Sequence, residues 1–205
     1  MEIITFINPH RLSNTYLVYS PIDKKAILID VGNLEPTIIK NEIDHRSLSL
    51  EVVLLTHEHA DHCYGVDELS KILPFKLYCT KECAFAIANS KLNFSRYLAD
   101  IKEFVVGKIP RIVSEEKLKI SSNLIVECLP TPGHSPGSCC FIIDDVCFSG
   151  DTLMETITPL SFPNSNKKDY NKSLEKLNLL SHRINYVYPG HGKKFEMSKR
   201  TLMSK

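Results

Sequence analysis

The sequence predicts an α/β fold in which two mixed β-sheets are sandwiched between layers of helices. Short apolar runs typical of strands cluster in each half of the chain, and each cluster is followed by segments with helical periodicity. The 205 residues contain no repeat, low-complexity tract or Pro/Gly-rich linker that would mark a domain boundary. We therefore expect residues 1–205 to form one domain.

In the first half of the chain, apolar and β-branched runs predict strands at residues 3–7, 15–19, 26–29, 52–55 and 76–79. Helical periodicity predicts helices at about residues 35–42, 66–72 and 81–89. The pattern is weak between residues 93 and 116. There we expect a helix around residues 94–101 and a strand near residues 103–106.

In the second half, strands are predicted at residues 124–129, 138–143 and 146–148, and a tight turn at Asp144-Asp145 joins the last two. Leu174, Leu177 and Leu180 recur at helical spacing and predict a helix over residues 169–181. A short strand is expected at residues 186–188. Residues 193–203 are expected to close the fold as a helix.

The composition restricts the classes of partner. Lysine and arginine total 25 against 24 aspartates and glutamates, so the formal charge is only +1 and neither a nucleic-acid nor a membrane surface is indicated. The N-terminus has no signal-peptide pattern, and no run is apolar enough for a membrane helix. We therefore expect a cytoplasmic protein with a small-molecule substrate, and its oligomeric state stays open.

The cysteines are odd in number and contain no paired CxxC sets, so we expect reduced thiols and no disulfide. Cys63 directly follows the first polar motif described below, which would allow a place near the site, although packing is the favoured role. The seven cysteines are Cys63, Cys79, Cys83, Cys128, Cys139, Cys140 and Cys147.

The strand at residues 52–55 leads directly into a cluster of polar residues, His57-Glu58-His59-Ala60-Asp61-His62. In extended backbone, side chains at i and i+2 point to the same side, so His57 and His59 can bind one ion while Asp61 and His62 are directed at a second. Imidazole and carboxylate are typical zinc ligands. A chance cluster is disfavoured, because the whole chain has only eight histidines and three of them lie in this motif. Glu58, at i+1, is expected to turn away from the site and to be solvent-exposed.

Three further polar residues follow predicted strands. His134 lies in a turn with two prolines and two glycines, Thr131-Pro132-Gly133-His134-Ser135-Pro136-Gly137-Ser138, which fixes its direction. Asp151 follows Ser149-Gly150, and His191 follows Pro189-Gly190. Taken singly, each has a simpler interpretation, an incidental turn histidine or a helix N-cap. Their common position at strand ends favours one site.

The order HxHxDH, GHSPG, SGD and PGHG resembles the metallo-β-lactamase superfamily, most closely its glyoxalase II-like, hydroxyacylglutathione hydrolase-like branch. The resemblance runs from Asn14-Thr15-Tyr16 and Ile29-Asp30-Val31-Gly32 to His191. It implies an αββα sandwich with two divalent metal ions, zinc by preference and iron or manganese as alternatives. The first ion would be bound by His57, His59 and His134, the second by Asp61, His62 and His191, and Asp151 would bridge both.

The resemblance also implies a reaction. A metal-bound hydroxide would attack a small ester-like bond, most favourably a thioester, with Asp61 or Asp151 orienting the water or moving its proton. Asp30 and Gly32 match a family position near the site, although a strand-ending turn is an equally good account of them. Lys167, Lys168, Lys193 and Lys194 are either anion contacts at the site mouth or, as the favoured alternative, solvated surface.

Several alternatives share the scaffold. A mononuclear iron persulfide dioxygenase would use His57, His134 and Asp151 alone, and lactonases are also related. RNA-processing relatives are disfavoured by the near-neutral charge, and a non-catalytic binding module would be expected to have lost ligands. Asp151 disfavours an antibiotic-hydrolysing β-lactamase, which has another residue at that position. The segment at residues 151–160 lacks the basic, glycine-containing pattern of glyoxalase II, so glutathione specificity is left open.

Overall fold

A computed structural model describes residues 1–199 and shows two six-stranded mixed sheets. The first sheet has the strand order β1-β2-β3-β4-β5-β6. Its first three strands pair antiparallel and the next three continue in parallel. The strands are β1 (Glu2–Ile7), β2 (Asn14–Tyr19), β3 (Lys25–Ile29), β4 (Ser49–Leu54), β5 (Lys76–Cys79) and β6 (Arg111–Ile112).

The second sheet has the order β12-β11-β10-β9-β8-β7. All of its pairs are antiparallel except β10 with β11, which run in parallel. The strands are β7 (Glu116–Ser121), β8 (Leu124–Pro130), β9 (Cys139–Ile143), β10 (Val146–Gly150), β11 (Tyr186–Pro189) and β12 (Phe195–Glu196).

The helices lie on the outer faces of the two sheets. Alternate residues of a strand point to opposite faces, so each sheet packs on the other sheet with one face and on helices with the other. On β2, Tyr16 and Val18 pack toward Phe141 and Phe148 of the second sheet, whereas Leu17 packs in a separate cluster with residues of α1 and α3. Residues of α5 cover the other face of the second sheet. The helices are α1 (Pro36–His45), α2 (Ala60–Cys63), α3 (Val66–Ile72), α4 (Lys81–Ile87) and α5 (Lys167–Leu180). The predicted fold class is thus confirmed.

Local sequence signals explain where two of these helices begin. The Thr80 side chain accepts a hydrogen bond from the Cys83 N–H at the start of α4. The Asn166 side chain accepts from the Lys168 and Asp169 N–H groups at the start of α5. These side chains satisfy backbone donors that have no partner within the helix. No described helix is long and apolar enough to cross a membrane.

Three predicted elements are wrong. Residues 94–101 contain only a 3₁₀ turn, Ser95–Tyr97, and residues 103–106 form no strand. Side-chain hydrogen bonds from Asn93 and Ser95 to the Phe104 carbonyl hold this segment in place of a regular backbone ladder. The expected closing helix is instead β12 and a 3₁₀ turn, Met197–Lys199, because β12 pairs with β11. The remainder of that prediction lies outside the described residues. The strands β6 and β7 were not predicted.

Candidate metal centre

The ends of four strands, together with the short helix α2, bring the seven predicted ligand residues to one edge of the sandwich. His57 and His59 follow β4, and Asp61 and His62 lie on α2. A hydrogen bond from the Cys139 N–H to the Thr56 carbonyl joins the two sheets directly beside this motif. The second sheet contributes the turn between β8 and β9, the end of β10 and the end of β11, which carry His134, Asp151 and His191.

The first group consists of His57, His59 and His134, all buried, with ring nitrogens within 4.8 Å of one another. The closest approach is 3.1 Å, between His59 Nδ1 and His134 Nε2. His57 Nε2 is buried without a hydrogen-bond partner among the described residues, while His57 Nδ1 lies 3.0 Å from Thr56 Oγ1. A buried imidazole nitrogen left unpaired at the centre of this group is what a metal ligand requires.

The second group consists of Asp61, His62 and His191. His191 Nε2 lies 3.3 Å from His62 Nε2 and 3.2 Å from Asp61 Oδ2. The distance from His62 Nε2 to Asp61 Oδ2 is 3.6 Å. Three donor atoms therefore converge on a second position, as the resemblance implies.

Asp151 lies between the two groups. One carboxylate oxygen, Oδ2, is 3.5 Å from His134 Nε2 of the first group and 3.6 Å from His191 Nε2 of the second. The other, Oδ1, is 3.7 Å from His62 Nε2 and is buried with no hydrogen-bond partner in the described chain. This close packing explains Gly190, because a Cβ there would lie 2.1 Å from Asp151 Oδ1.

The rings of His62, His134 and His191 are each oriented by a contact at Nδ1. Asp30 accepts a hydrogen bond from the Thr56 N–H at 2.7 Å, another from Thr56 Oγ1 at 2.7 Å, and faces His62 Nδ1 at 2.8 Å. If His62 Nδ1 donates this bond, its Nε2 keeps a free lone pair for a ligand. His134 Nδ1 and His191 Nδ1 contact the carbonyl oxygens of Pro159 and Arg11 in the same way. Asp30 therefore orients His62 and anchors Thr56 in addition to ending a strand.

The two groups differ in charge. Burial lowers the pKa of His57, His59 and His134, so these rings are neutral at pH 7. Burial also opposes charge on His62, but the carboxylates of Asp61, Asp30 and Asp151 outweigh it and raise its pKa to about 10. Burial likewise opposes charge on Asp61, yet His62 and His191 hold its pKa well below the usual range. Without a cation, a proton on His62 balances part of the carboxylate charge.

The position of Glu58 contradicts the expectation of solvent exposure. Its side chain is buried, and Glu58 Oε2 accepts a hydrogen bond from Ser135 Oγ at 2.9 Å. It does turn away from the two histidines, but toward the glycine- and proline-rich turn rather than toward water. Burial raises the pKa of this carboxyl group. Glu58 therefore supports the turn that carries His134.

Cys63 is fully buried in the core beneath the motif and contacts the Glu58 carbonyl oxygen. Burial raises the pKa of its thiol well above the ordinary value, so the thiol stays protonated and unreactive. Its place in the core agrees with a packing role. All seven cysteines are buried with free thiols.

A pocket of about 280 Å³ opens onto the two groups. None of the four candidate lysines lines it, and Lys194 instead lies over the rings of Tyr186 and Tyr188. The cation in its wall is Arg11, which pairs with Asp100 at 3.0 Å. Sequence reasoning missed Arg11 and the ring of Phe162, because no local pattern distinguishes them. The lining is Arg11, His59, Ala60, Asp61, Phe94, Leu98, Asp151, Met154, Thr156, Pro159, Phe162 and His191.

The donor set fits a pair of divalent cations. It offers imidazole nitrogens and carboxylate oxygens, the ligands of zinc and of similar first-row metals. His57 Nε2 and Asp151 Oδ1 are buried donors that otherwise have no partner. Two neighbouring cations would satisfy both atoms and neutralise the carboxylates of Asp61 and Asp151.

Comparison with known proteins identifies the class. The model of the metallo-β-lactamase superfamily matches residues 9–191, and the chain belongs to this superfamily. A probable metallo-hydrolase of Streptococcus pyogenes, M6_Spy0554, is 30% identical over 200 residues, which are 94% of this chain and 84% of that protein.

Two further relatives extend the comparison. A hydroxyacylglutathione hydrolase of Methylobacillus flagellatus is 30% identical over 129 residues, which are 62% of this chain but only 43% of that protein. The crystal structure of TTHA1623 in a di-iron-bound form superimposes with a TM-score of 0.80 at 25% identity, and the match covers 97% of this chain and 96% of that one.

Proposed function

We propose that this protein is a hydrolase with a dinuclear metal site that cleaves a small ester-like bond, most favourably a thioester. The observation that carries the proposal is the geometry of the two ligand groups. They are complete, they share the carboxylate of Asp151, and they face one pocket. A single metal ion would leave one of these groups buried and unused.

His57, His59 and His134 would hold one cation, Asp61, His62 and His191 the other, and Asp151 would contact both. When bound, the two cations would lower the pKa of a metal-bound water toward about 7 and polarise the carbonyl of the substrate. Zinc is the expected metal. Iron is the alternative that the di-iron-bound relative supports.

Two carboxylates of this chain are placed to assist the water. Asp61 and Asp151 both line the pocket. Asp61 is ionised at neutral pH, because the charges of His62 and His191 keep its pKa low. It can therefore accept a hydrogen bond from a water molecule and orient it. Arg11, in the same wall, can contact a negatively charged part of the substrate, although Asp100 shares its charge.

In the proposed reaction the water oxygen forms a bond to the thioester carbonyl carbon and the carbon–sulfur bond breaks. The thiolate leaves and takes up the proton that the water has lost, so that no side chain becomes covalently modified. One observation supports a thioester over other esters: a hydroxyacylglutathione hydrolase is 30% identical to this chain over 129 residues.

The second candidate is a persulfide dioxygenase with one iron bound by His57, His134 and Asp151. The observation in its favour is that His134 Nε2 and Asp151 Oδ2 lie only 3.5 Å apart. Such an enzyme has no use for Asp61, His62 and His191 as ligands. Their convergence on a second position therefore favours the hydrolase.

The test is a substrate panel with protein loaded separately with zinc, manganese and iron. Thioesters, lactones, phosphodiesters and glutathione persulfide are supplied in parallel, and product release and oxygen uptake are both followed. We expect thioester hydrolysis without oxygen consumption, lost in Asp151→Ala and kept in Asp44→Ala, whose side chain is exposed on α1. Oxygen consumption with the persulfide, and no hydrolysis of any ester, would replace the hydrolase with the iron enzyme.

A further inference from the structure

An apolar groove of about 600 Å³ adjoins the metal-site pocket. It lies between the segment after α4 and the segment before α5. Its volume is within the range of small-molecule sites. The groove is lined by Lys91, Leu92, Phe94, Tyr97, Leu98, Phe162, Pro163 and Asn164.

The groove and the metal-site pocket are continuous, because Phe94, Leu98 and Phe162 line both. The Phe94 and Phe162 rings pack on His59 with centroid distances of 5.0 and 4.8 Å. A molecule whose reactive bond lies at the metal site can therefore extend directly into the groove. The outer wall includes Tyr97, whose side chain is 64% exposed although it is large and apolar.

The backbone around Phe94 is held in an unfavourable conformation. Phe94 has a φ of +64°, in the left-handed region that bulky residues avoid. Asn93 and Ser95 hold it there, since both side chains are buried and both donate hydrogen bonds to the Phe104 carbonyl. Backbone strain that neighbouring contacts maintain is typical of ligand-binding segments. Here it directs the Phe94 ring to the junction of the pocket and the groove.

We propose that this groove binds an apolar chain of the substrate, an aliphatic or aryl group attached to the bond that is cleaved. This inference rests on the proposed function and narrows its substrate class. The preferred thioesters would be those with an apolar acyl or thiol part. Burial of a methylene group favours binding independently of the reaction step, so the effect should appear in KM more than in kcat.

Two substrate series test this. In one, the thiol is N-acetylcysteamine and the acyl chain grows from acetyl to octanoyl; in the other, the acyl group is acetyl and an alkyl thiol grows from two to eight carbons. We expect kcat/KM to rise by about two- to fourfold per methylene in at least one series, mainly through KM. The series that responds identifies the part of the substrate in the groove. No rise in either series, with the short thioesters hydrolysed, would overturn the inference.

The variant Tyr97→Ser tests whether the groove wall binds the apolar chain. Because the side chain is mostly exposed, we expect the variant to fold. Its loss should reduce the rise per methylene and lower kcat/KM for the longest responding substrate by about tenfold. Tyr186→Ser removes a tyrosine that lies outside the groove lining and should keep the wild-type slope. Equal slopes in all three proteins would contradict a role for the groove.

A binding experiment separates this inference from the proposed function. If no thioester is hydrolysed, the thioesterase proposal fails. Calorimetric titration with linear carboxylates from butyrate to decanoate then still measures how the Kd of the groove depends on chain length. A Kd that falls about two- to fourfold per methylene in the wild type, but not in Tyr97→Ser, would support the apolar subsite. A Kd independent of chain length would overturn it.

Discussion

Asp30→Asn should weaken the second metal position selectively. In the wild type, the Asp30 carboxylate accepts a hydrogen bond from the Thr56 N–H and faces His62 Nδ1 at 2.8 Å. Asparagine can still accept from the Thr56 N–H, so the loop keeps its anchor. Its amide nitrogen, however, would face His62 Nδ1 with a second donor. His62 would then shift its proton to Nε2, the atom that must bind the cation.

Two estimates of the magnitude agree. Loss of a partner that orients a metal-binding histidine typically costs about 10–100-fold in metal affinity, which corresponds to about 1.4–2.7 kcal/mol. A hydrogen bond to a charged group contributes about 1.5–3 kcal/mol. His57 should be little affected, because Thr56 Oγ1 can accept a hydrogen bond from the new amide and still face His57 Nδ1.

The assay is a zinc titration of metal-free protein, with stoichiometry checked by elemental analysis after dialysis. Asp30→Asn should bind one ion as the wild type does and the second about 10–100-fold more weakly. Asp44→Asn, an exposed change on α1, should match the wild type at both positions. Equal weakening of both ions, or no weakening, would refute the assigned role of Asp30.

Three further predictions follow from the site and the core. Gly190→Ala should lose metal and about 1–3 kcal/mol of stability by thermal unfolding, because its Cβ would lie 2.1 Å from Asp151 Oδ1; unchanged occupancy would contradict this. In the metal-free protein, the unfolding free energy should fall below about pH 6.5, by up to about 1.4 kcal/mol per pH unit for each buried histidine that takes up a proton only on unfolding. The unfolding free energy should also fall as the pH rises from about 6.5 to 10, because the pKa of His62 is raised to about 10 in the folded protein. An unfolding free energy that does not change with pH in denaturant titrations would refute both the acidic and the alkaline loss. All seven thiols should titrate as free under denaturing, non-reducing conditions, and a stable Cys79–Cys83 disulfide would disagree.

Local signals single out the seven ligand-type residues, and the resemblance to the superfamily implies their grouping around two positions. Each ligand motif directly follows an apolar strand, and strand ends on one side of a sheet share an edge. His134, Asp151 and His191 could therefore be placed together without knowledge of the strand order. The central strands of the two sheets could also be predicted, because they are buried and mostly apolar.

The errors occur where tertiary contacts decide the structure. The segment around Phe94 is held by side-chain bonds to Phe104, and no periodic pattern reports such bonds. The strand β7 lies at a sheet edge and is mostly polar, so its weak alternation does not distinguish it from a loop. Glu58 was expected in solvent because nothing in the sequence shows that Ser135 lies across from it.

The most direct test of the dinuclear site is anomalous diffraction from crystals of the zinc-loaded protein. We predict two peaks per chain, one among His57, His59 and His134 and the other among Asp61, His62 and His191, with Asp151 in contact with both. A single peak, with Asp61 and His62 unligated, would contradict the account.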